Sequence, residues 1–273
     1  MVSFEKAYNN IFKDNDWVNT FLGYVLILVI SCIPSLIFQI THPSQQVAQN
    51  IKPVELLSLM TQSSFSSAFS IIGSLFLSGF VVVYLRNLIA DSNSPLPSIK
   101  TFWKEIFVAG IKQFGAVMLY YFAFIFIALI IAGVVTVLFL SKITFFVIIA
   151  AIITIVSISA AVILASMYYP LLTINFAARN LEFPALFDFK AATKFLCKDF
   201  WKALLIMCLV GICMCIITIV AILIFTLVGF KTLGLPAIIS LIYCLVLLPL
   251  SAISTFIYVN LLSQVYYSSI EKI

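Results

Sequence analysis

Charge is scarce in this 273-residue chain: 9% of its residues are charged and 64% are hydrophobic. Soluble domains carry about 25% charged residues, so this composition cannot build a water-exposed surface. Histidine is nearly missing. His42 stands alone, so no carboxylate-and-histidine cluster forms within the chain, and metal catalysis lacks its usual ligands. There is no Gly-x-Ser-x-Gly, no histidine within a hydrophobic run to activate a serine, and no phosphate-binding glycine loop. The residues for enzymatic chemistry are absent, so the chain is read as a non-enzyme without a cofactor. Of the six cysteines, Cys32, Cys208, Cys213, Cys215 and Cys244 fall within hydrophobic runs and Cys197 falls in a lysine-rich connection. No disulfide framework is implied. Cys208 and Cys215 share a helix face, but cysteine is also an ordinary small apolar core residue.

Long apolar runs are present instead. Six of them, Val18–Ile40, Phe65–Leu85, Phe114–Leu140, Phe145–Asn175, Ala203–Phe230 and Leu235–Tyr258, meet the length of roughly 20 residues that a membrane span needs. None contains Asp, Glu, Lys, Arg or His, which argues against proton relays, carriers of charged substrates and voltage sensing. Backbone groups in lipid must be bonded within their own segment, so such runs predict α-helices. No alternating segments of the β-barrel kind occur. Pro34, Pro170 and Pro249 mark places where helices would kink. The expected fold is an all-α bundle of six transmembrane helices, a single integral membrane domain over residues 1–273. Glu5, Asp14 and Asp16 precede the first run, which is also too long for a signal-peptide core, so it is expected to stay as helix 1.

Lysine and arginine report orientation. Twelve of the 15 fall on one side: Lys6, Lys13, Arg86, Lys100, Lys104, Lys112, Arg179, Lys190, Lys194, Lys198, Lys202 and Lys272. Lys52, Lys142 and Lys231 fall on the other. The positive-inside rule places the twelve, and both termini, in the cytoplasm, with the cell membrane as the expected location. The largest outer segment, Thr41–Ser64, contains an apolar stretch, Val54–Met60, read as a re-entrant or surface helix.

Three repeat units, 1–90, 91–180 and 181–273, suggest themselves, each a surface helix followed by two spans. The surface helices begin near Phe4, Ser98 and Ala185, and Trp17, Trp103 and Trp201 fall one per unit at the expected headgroup level. Arg86-Asn87-Leu88 and Arg179-Asn180-Leu181 stand at matching places, each followed by a proline, Pro97 or Pro184. In the third surface helix, Leu186, Phe189, Ala192, Leu196 and Phe200 follow helical spacing, while Lys190, Lys194, Lys198 and Lys202 make a separate stripe. In the second, Ile99, Phe102, Trp103, Ile106 and Phe107 make the apolar face, and Lys100, Lys104 and Lys112 repeat the basic stripe. Amphipathic helices of this kind lie in the membrane interface and attract anionic lipid. The lysines and tryptophans are therefore candidate lipid- or partner-binding residues, with anchoring as the simplest role. Nucleic acid is not an expected partner, because lipid explains the +5 net charge.

The segment FEKAYNNIFKDNDW, Phe4 to Trp17, is followed by a spaced set of residues: Gly79-Phe80, Leu85-Arg86-Asn87, Leu96-Pro97, Trp103, Phe107 and Gly110. On these residues the N-terminal two-thirds of the chain resembles a prokaryotic family of polytopic membrane proteins, domain-of-unknown-function family 4013. The likeness fades after about residue 125. It implies a multi-span membrane architecture and no particular activity.

A few polar residues remain. Ser66, Ser70, Ser74 and Ser78 make a stripe of small residues, read either as a hydroxyl-lined path or as a close helix contact, with Ser157, Ala161 and Ala165 as a candidate facing surface. Tyr84, Tyr169, Asn175, Tyr258 and Asn260 lie near one level, read either as a polar vestibule or as interhelical hydrogen bonding. The function expected from all this is a non-enzymatic membrane subunit or scaffold that binds protein partners, further copies of itself, or anionic lipid. The alternative is lipid handling or permeation of a small neutral solute.

Overall fold

The computed structural model describes residues 2–13, 16–41, 53–140, 144–227 and 246–271. All regular structure among the described residues is helical. In chain order the helices are α1 (Phe4–Ile11), α2 (Trp17–Thr41), α3 (Pro53–Ala90), α4 (Ile99–Leu140), α5 (Thr144–Ala178), α6 (Phe189–Ala192), α7 (Lys198–Leu227) and α8 (Leu248–Ile270). Short 3-10 turns at Phe183–Phe187 and Thr193–Phe195 flank α6. Among the described residues, four segments are long and apolar enough to cross a membrane: Ser70–Ala90, Ile99–Val137, Lys198–Ala221 and Leu248–Ile270. Trp17–Ile33 is a shorter apolar helix.

Three boundaries differ from expectation. The outer stretch Val54–Met60 is neither re-entrant nor separate: it is the start of α3, which runs unbroken from Pro53 through the second apolar run. Pro53 opens that helix because a proline at the first position gives up no needed N–H. The surface helix expected at Ser98 is likewise continuous with the span behind it, as the 42-residue α4. Nothing between Ile106 and Phe114 breaks a helix. At 1.5 Å per residue α4 is about 63 Å long, against a hydrocarbon layer of about 30 Å, so its first turns stand clear of the apolar zone. The last helix does not stop near Tyr258 but continues to Ile270. Pro249 lies in the first turn of α8, whereas Pro170 is inside α5. The part of the expected sixth run before residue 246 lies outside the described residues, as do Lys52, Lys142 and Lys231.

The third surface helix is broken rather than continuous. Pro184 opens a 3-10 turn, Asp188 caps α6 by accepting from the Ala191 N–H, and Leu196 leaves the helix with ψ at 69°. The expected apolar stripe therefore splits. Leu186, Ala192 and Phe200 are buried, while Phe189 and Leu196 are 43% and 41% exposed. Lys190 and Lys194 sit on the short turns and Lys198 and Lys202 on α7, so the four lysines do not form one helical stripe. The three surface segments thus adopt three different structures: a separate eight-residue helix, the first turns of α4, and a chain of turns. The Arg-Asn-Leu triplets differ as well. Arg86-Asn87-Leu88 lies inside α3, whereas Asn180 and Leu181 end α5 with φ of 50° and 64°. The Leu181 N–H donates to the Phe176 carbonyl and the Asn180 N–H to the Ala177 carbonyl, a Schellman cap.

Close packing starts with glycine. A methyl at Gly79 would strike the Ile106 carbonyl oxygen, and one at Gly110 would strike that of Leu75. Two helices therefore meet backbone to backbone where α3 packs on α4, the most extensive helix contact among the described residues. Gly73 instead meets the Ser31 side chain where α3 crosses α2. The buried core lies at one end of the bundle. It joins Phe80, Tyr84 and Leu88 of α3, Ile106 and Ala109 of α4, Ile174 and Phe176 of α5, and Phe256 and Leu261 of α8. Toward the other end the described parts of α4, α5 and α7 present leucine, isoleucine and phenylalanine outward on all sides, as lipid-facing helices do.

Candidate functional site

The lysine-bearing segments meet at the packed end. The Ser3 N–H donates to Gln264 Oε1 at 2.8 Å, and Gln264 Nε2 donates back to the Ser3 carbonyl at 3.3 Å. Asn10 Nδ2 donates to Asn260 Oδ1 at 2.8 Å and to the Ser92 carbonyl at 3.2 Å. Asn260 Nδ2 in turn donates to the Tyr84 hydroxyl at 2.9 Å. The Tyr267 hydroxyl reaches the Leu88 and Ile89 carbonyls, both at 2.9 Å. These bonds clamp α1 and the α3–α4 connection onto α8, so the first and last helices lie at the same end. The connection itself is kept out of helix by Pro95 and Pro97 and by the Asp91 carboxylate, which accepts from the Asn93 N–H at 3.0 Å.

Four of the five tyrosines and asparagines expected near one level have hydrogen-bond partners. Tyr84 and Asn260 are partners in the clamp. Asn175 Nδ2 donates to the Ala185 carbonyl at 2.7 Å and fastens the turn after α5. Gln113 Nε2 donates to the Tyr169 hydroxyl at 2.6 Å, and Tyr258 lies within electrostatic reach of Tyr169. Gln113 Oε1, buried, has no partner among the described residues. Of the serine stripe, Ser70 reaches a neighbouring helix and Ser74 is exposed. Ser74 and Ser78 donate to carbonyls of their own helix, and Ser70 donates to the Ser31 carbonyl of α2 at 3.4 Å. At Ser70 and Gly73 the residue met is Ser31 of α2. The side chains of Ser66, Ala161 and Ala165 lie outside the described residues.

Of the tryptophans, Trp17 is packed in an aromatic ladder. Rings of Phe4, Tyr8, Phe12, Trp17, Phe21 and Phe256 follow one another with centroids 4.7–6.3 Å apart. Trp103 and Trp201 are each about half exposed, and the Lys104 ammonium lies 5.7 Å from the Trp103 ring centre.

Three acidic groups at this end are paired with cations. Arg86 grips both carboxylate oxygens of Glu105. Arg179 donates to Asp188 at 2.8 Å, and Lys202 approaches Asp199 at 3.5 Å. The Asp188 carboxyl is held below its ordinary value, first by the Ala191 N–H it accepts and then by Arg179. Lys100, Lys104, Lys190, Lys194 and Lys198 have no ion-pair partner among the described residues. Two of the basic groups line a cleft of about 330 Å³ formed by Lys104, Glu105, Val108, Ala109 and Lys112 of α4 with Asn180 and Leu181 of the α5 cap. Lys112 Nζ donates to the Leu181 carbonyl at 2.8 Å. Sequence reasoning named the lysines but not Asn180 and Leu181 as their neighbours, nor Arg86–Glu105. A charge of each sign beside an apolar run was the available signal for that pair.

No curated protein and no solved structure matches the chain. A family model described as a protein of unknown function, DUF4013, matches residues 63–226. The match begins after Phe4–Trp17, includes the glycine crossing of α3 and α4, and runs past residue 125 into α7. Because the match covers more than half of a chain built from apolar, membrane-length helices, the protein belongs to the DUF4013 family of polytopic membrane proteins.

Proposed function

We propose that this protein is a non-enzymatic membrane scaffold whose basic end engages the anionic surface of the bilayer and offers a platform for protein partners or further copies of the chain. It crosses the membrane six times as a single domain, with both termini and the basic end in the cytoplasm at the cell membrane. The supporting observation is the charge arrangement. Glu105, Asp188 and Asp199 are each taken by a cation, while lysines from α4 and from the α5–α7 connection remain without ion pairs among the described residues. Each such lysine beside an anionic leaflet contributes about 1 kcal/mol. The buried polar groups favour this reading over permeation. Described hydroxyls of the serine stripe bond to backbone carbonyls, and Asn175 and Asn260 are occupied in tying helices together.

Exchange of the purified protein into nanodiscs of equal phosphatidylglycerol and phosphatidylcholine, followed by detergent extraction and lipid quantification, tests the reading. Retained lipid enriched in phosphatidylglycerol is the expected result. Retention in the ratio supplied would overturn it.

A further inference from the structure

We propose that the cleft between α4 and the α5 cap is a discrete site for the phosphodiester headgroup of one anionic glycerophospholipid. This deepens the reading above and rests on it. The cleft carries a net positive charge. Glu105, its only acidic lining residue, has both oxygens occupied by Arg86, so its charge is cancelled locally. Lys104 has no hydrogen bond among the described residues and leans only against the Trp103 ring. Lys112 spends one N–H on the Leu181 carbonyl, which leaves two of its three donors for a ligand. Lys104 and Lys112 stand eight residues apart, about 12 Å along the helix axis, so their flexible stems can converge on one phosphate placed between them, over Val108. The Schellman cap fixes the opposite wall. Its left-handed Asn180 exposes a side-chain amide beside the same space, and the Lys112 bond holds the left-handed Leu181 in place.

The apolar surface below the cleft selects a lipid over free phosphate. Val108, Ile111, Leu119 and Phe122 follow one another at steps of three, eight and three residues on α4 and are all exposed. A charged recess thus opens onto an apolar helix face that leads away from the packed end, the shape of a headgroup followed by an acyl chain. Lys190 on α6 and Lys194 on the 3-10 turn after it are exposed and do not line the cleft, which makes them an internal control.

The test is a titration of the full chain in mild detergent, following thermal unfolding, with dioctanoyl phosphatidylglycerol, dioctanoyl phosphatidylcholine and inorganic phosphate as separate probes. The wild type is expected to be stabilised saturably by the phosphatidylglycerol probe. Lys104→Gln should weaken that binding about fivefold, and adding Asn180→Gly, which keeps the left-handed backbone, should bring the loss to about tenfold. Lys190→Gln with Lys194→Gln should leave it within twofold. Equal weakening in both sets of variants would overturn the discrete site while leaving diffuse attraction to anionic lipid standing. No preference of the wild type for phosphatidylglycerol over phosphatidylcholine would overturn both readings. Stabilisation by inorganic phosphate as strong as by the lipid would show an anion site and refute the lipid.

Discussion

Adding one methyl group at Gly79 tests the packing of the membrane core. The new carbon of Gly79→Ala would lie 2.8 Å from the Gly110 nitrogen and from the Ile106 carbonyl carbon, and closer still to the Ile106 oxygen. Ordinary carbon contacts are about 3.5–4.0 Å, so α3 and α4 must part by about 1 Å. Both obstacles are helical backbone and cannot rotate away. Overpacking of this kind costs about 1–3 kcal/mol, and a contact with main chain on both sides belongs at the upper end. Replacing a helical glycine returns up to about 1 kcal/mol of propensity. The net loss is therefore about 2 kcal/mol, a fall in Tm of about 4–8 °C. Gly110→Ala should behave alike, and the double variant should lose less than the sum, because both changes act on one crossing. Gly133→Ala and Gly211→Ala supply the control: nothing lies within 4 Å of either added methyl. Fluorescence-detected unfolding in detergent measures the five variants beside the wild type. A Gly79→Ala protein that melts at or above the wild-type temperature would refute the backbone crossing.

Three further outcomes follow from named contacts. Tyr84→Phe removes the hydroxyl that Asn260 reaches and should cost about 1 kcal/mol. Asn260→Ala breaks the link to both Tyr84 and Asn10 and should cost about 1–3 kcal/mol; cysteine accessibility of α1 rising in the second variant only would check the clamp, and unchanged accessibility would contradict it. Lys112→Met should destabilise the α5 cap by about 1.5 kcal/mol, since a charged donor leaves the Leu181 carbonyl, whereas Asn180→Gly should be near neutral, because glycine accepts a positive φ without cost. Asp188 titrates below its ordinary value in the folded protein. Its contribution is present above the unfolded value, about 3.9, and disappears as pH falls through the lower folded value. Proteolysis of the α5–α7 connection should therefore increase on acidification in the wild type, and Asp188→Ala, which removes the cap, should show that sensitivity already at neutral pH. A variant as resistant as the wild type at neutral pH would be evidence against the cap.

Membrane helices were legible in the sequence because their signal is additive: many apolar residues in a row, with charges gathered at the ends. The limits of those helices were not. Ile99–Phe114 is amphipathic, yet it contains no helix breaker, so it extends the span behind it. The Pro184–Cys197 segment has the right spacing for one helix, yet a proline, the Asp188 cap and the turn at Leu196 divide it. Periodicity reports which side chains lie on one face only if the backbone stays helical. The serine stripe was legible as a row of small residues, but the meeting of Ser70 with Ser31 of α2 depends on tertiary packing that one sequence does not encode locally. The cleft joins Lys104 and Lys112 to Asn180 and Leu181 across a long stretch of chain, and no local pattern announces it. The glycines of the α3–α4 crossing were visible as motif residues. Their reason, two backbones with no room for a side chain, needed three dimensions.

Native mass spectrometry of the protein, released gently from the membranes of the cell that makes it, tests the central claim most directly. The account predicts that the chain leaves the membrane carrying anionic phospholipid, one molecule of which persists when the rest are stripped away, with Lys104→Gln losing that last molecule. A wild-type chain that retains neutral lipid alone, or sheds every lipid as readily as the variant does, would contradict it.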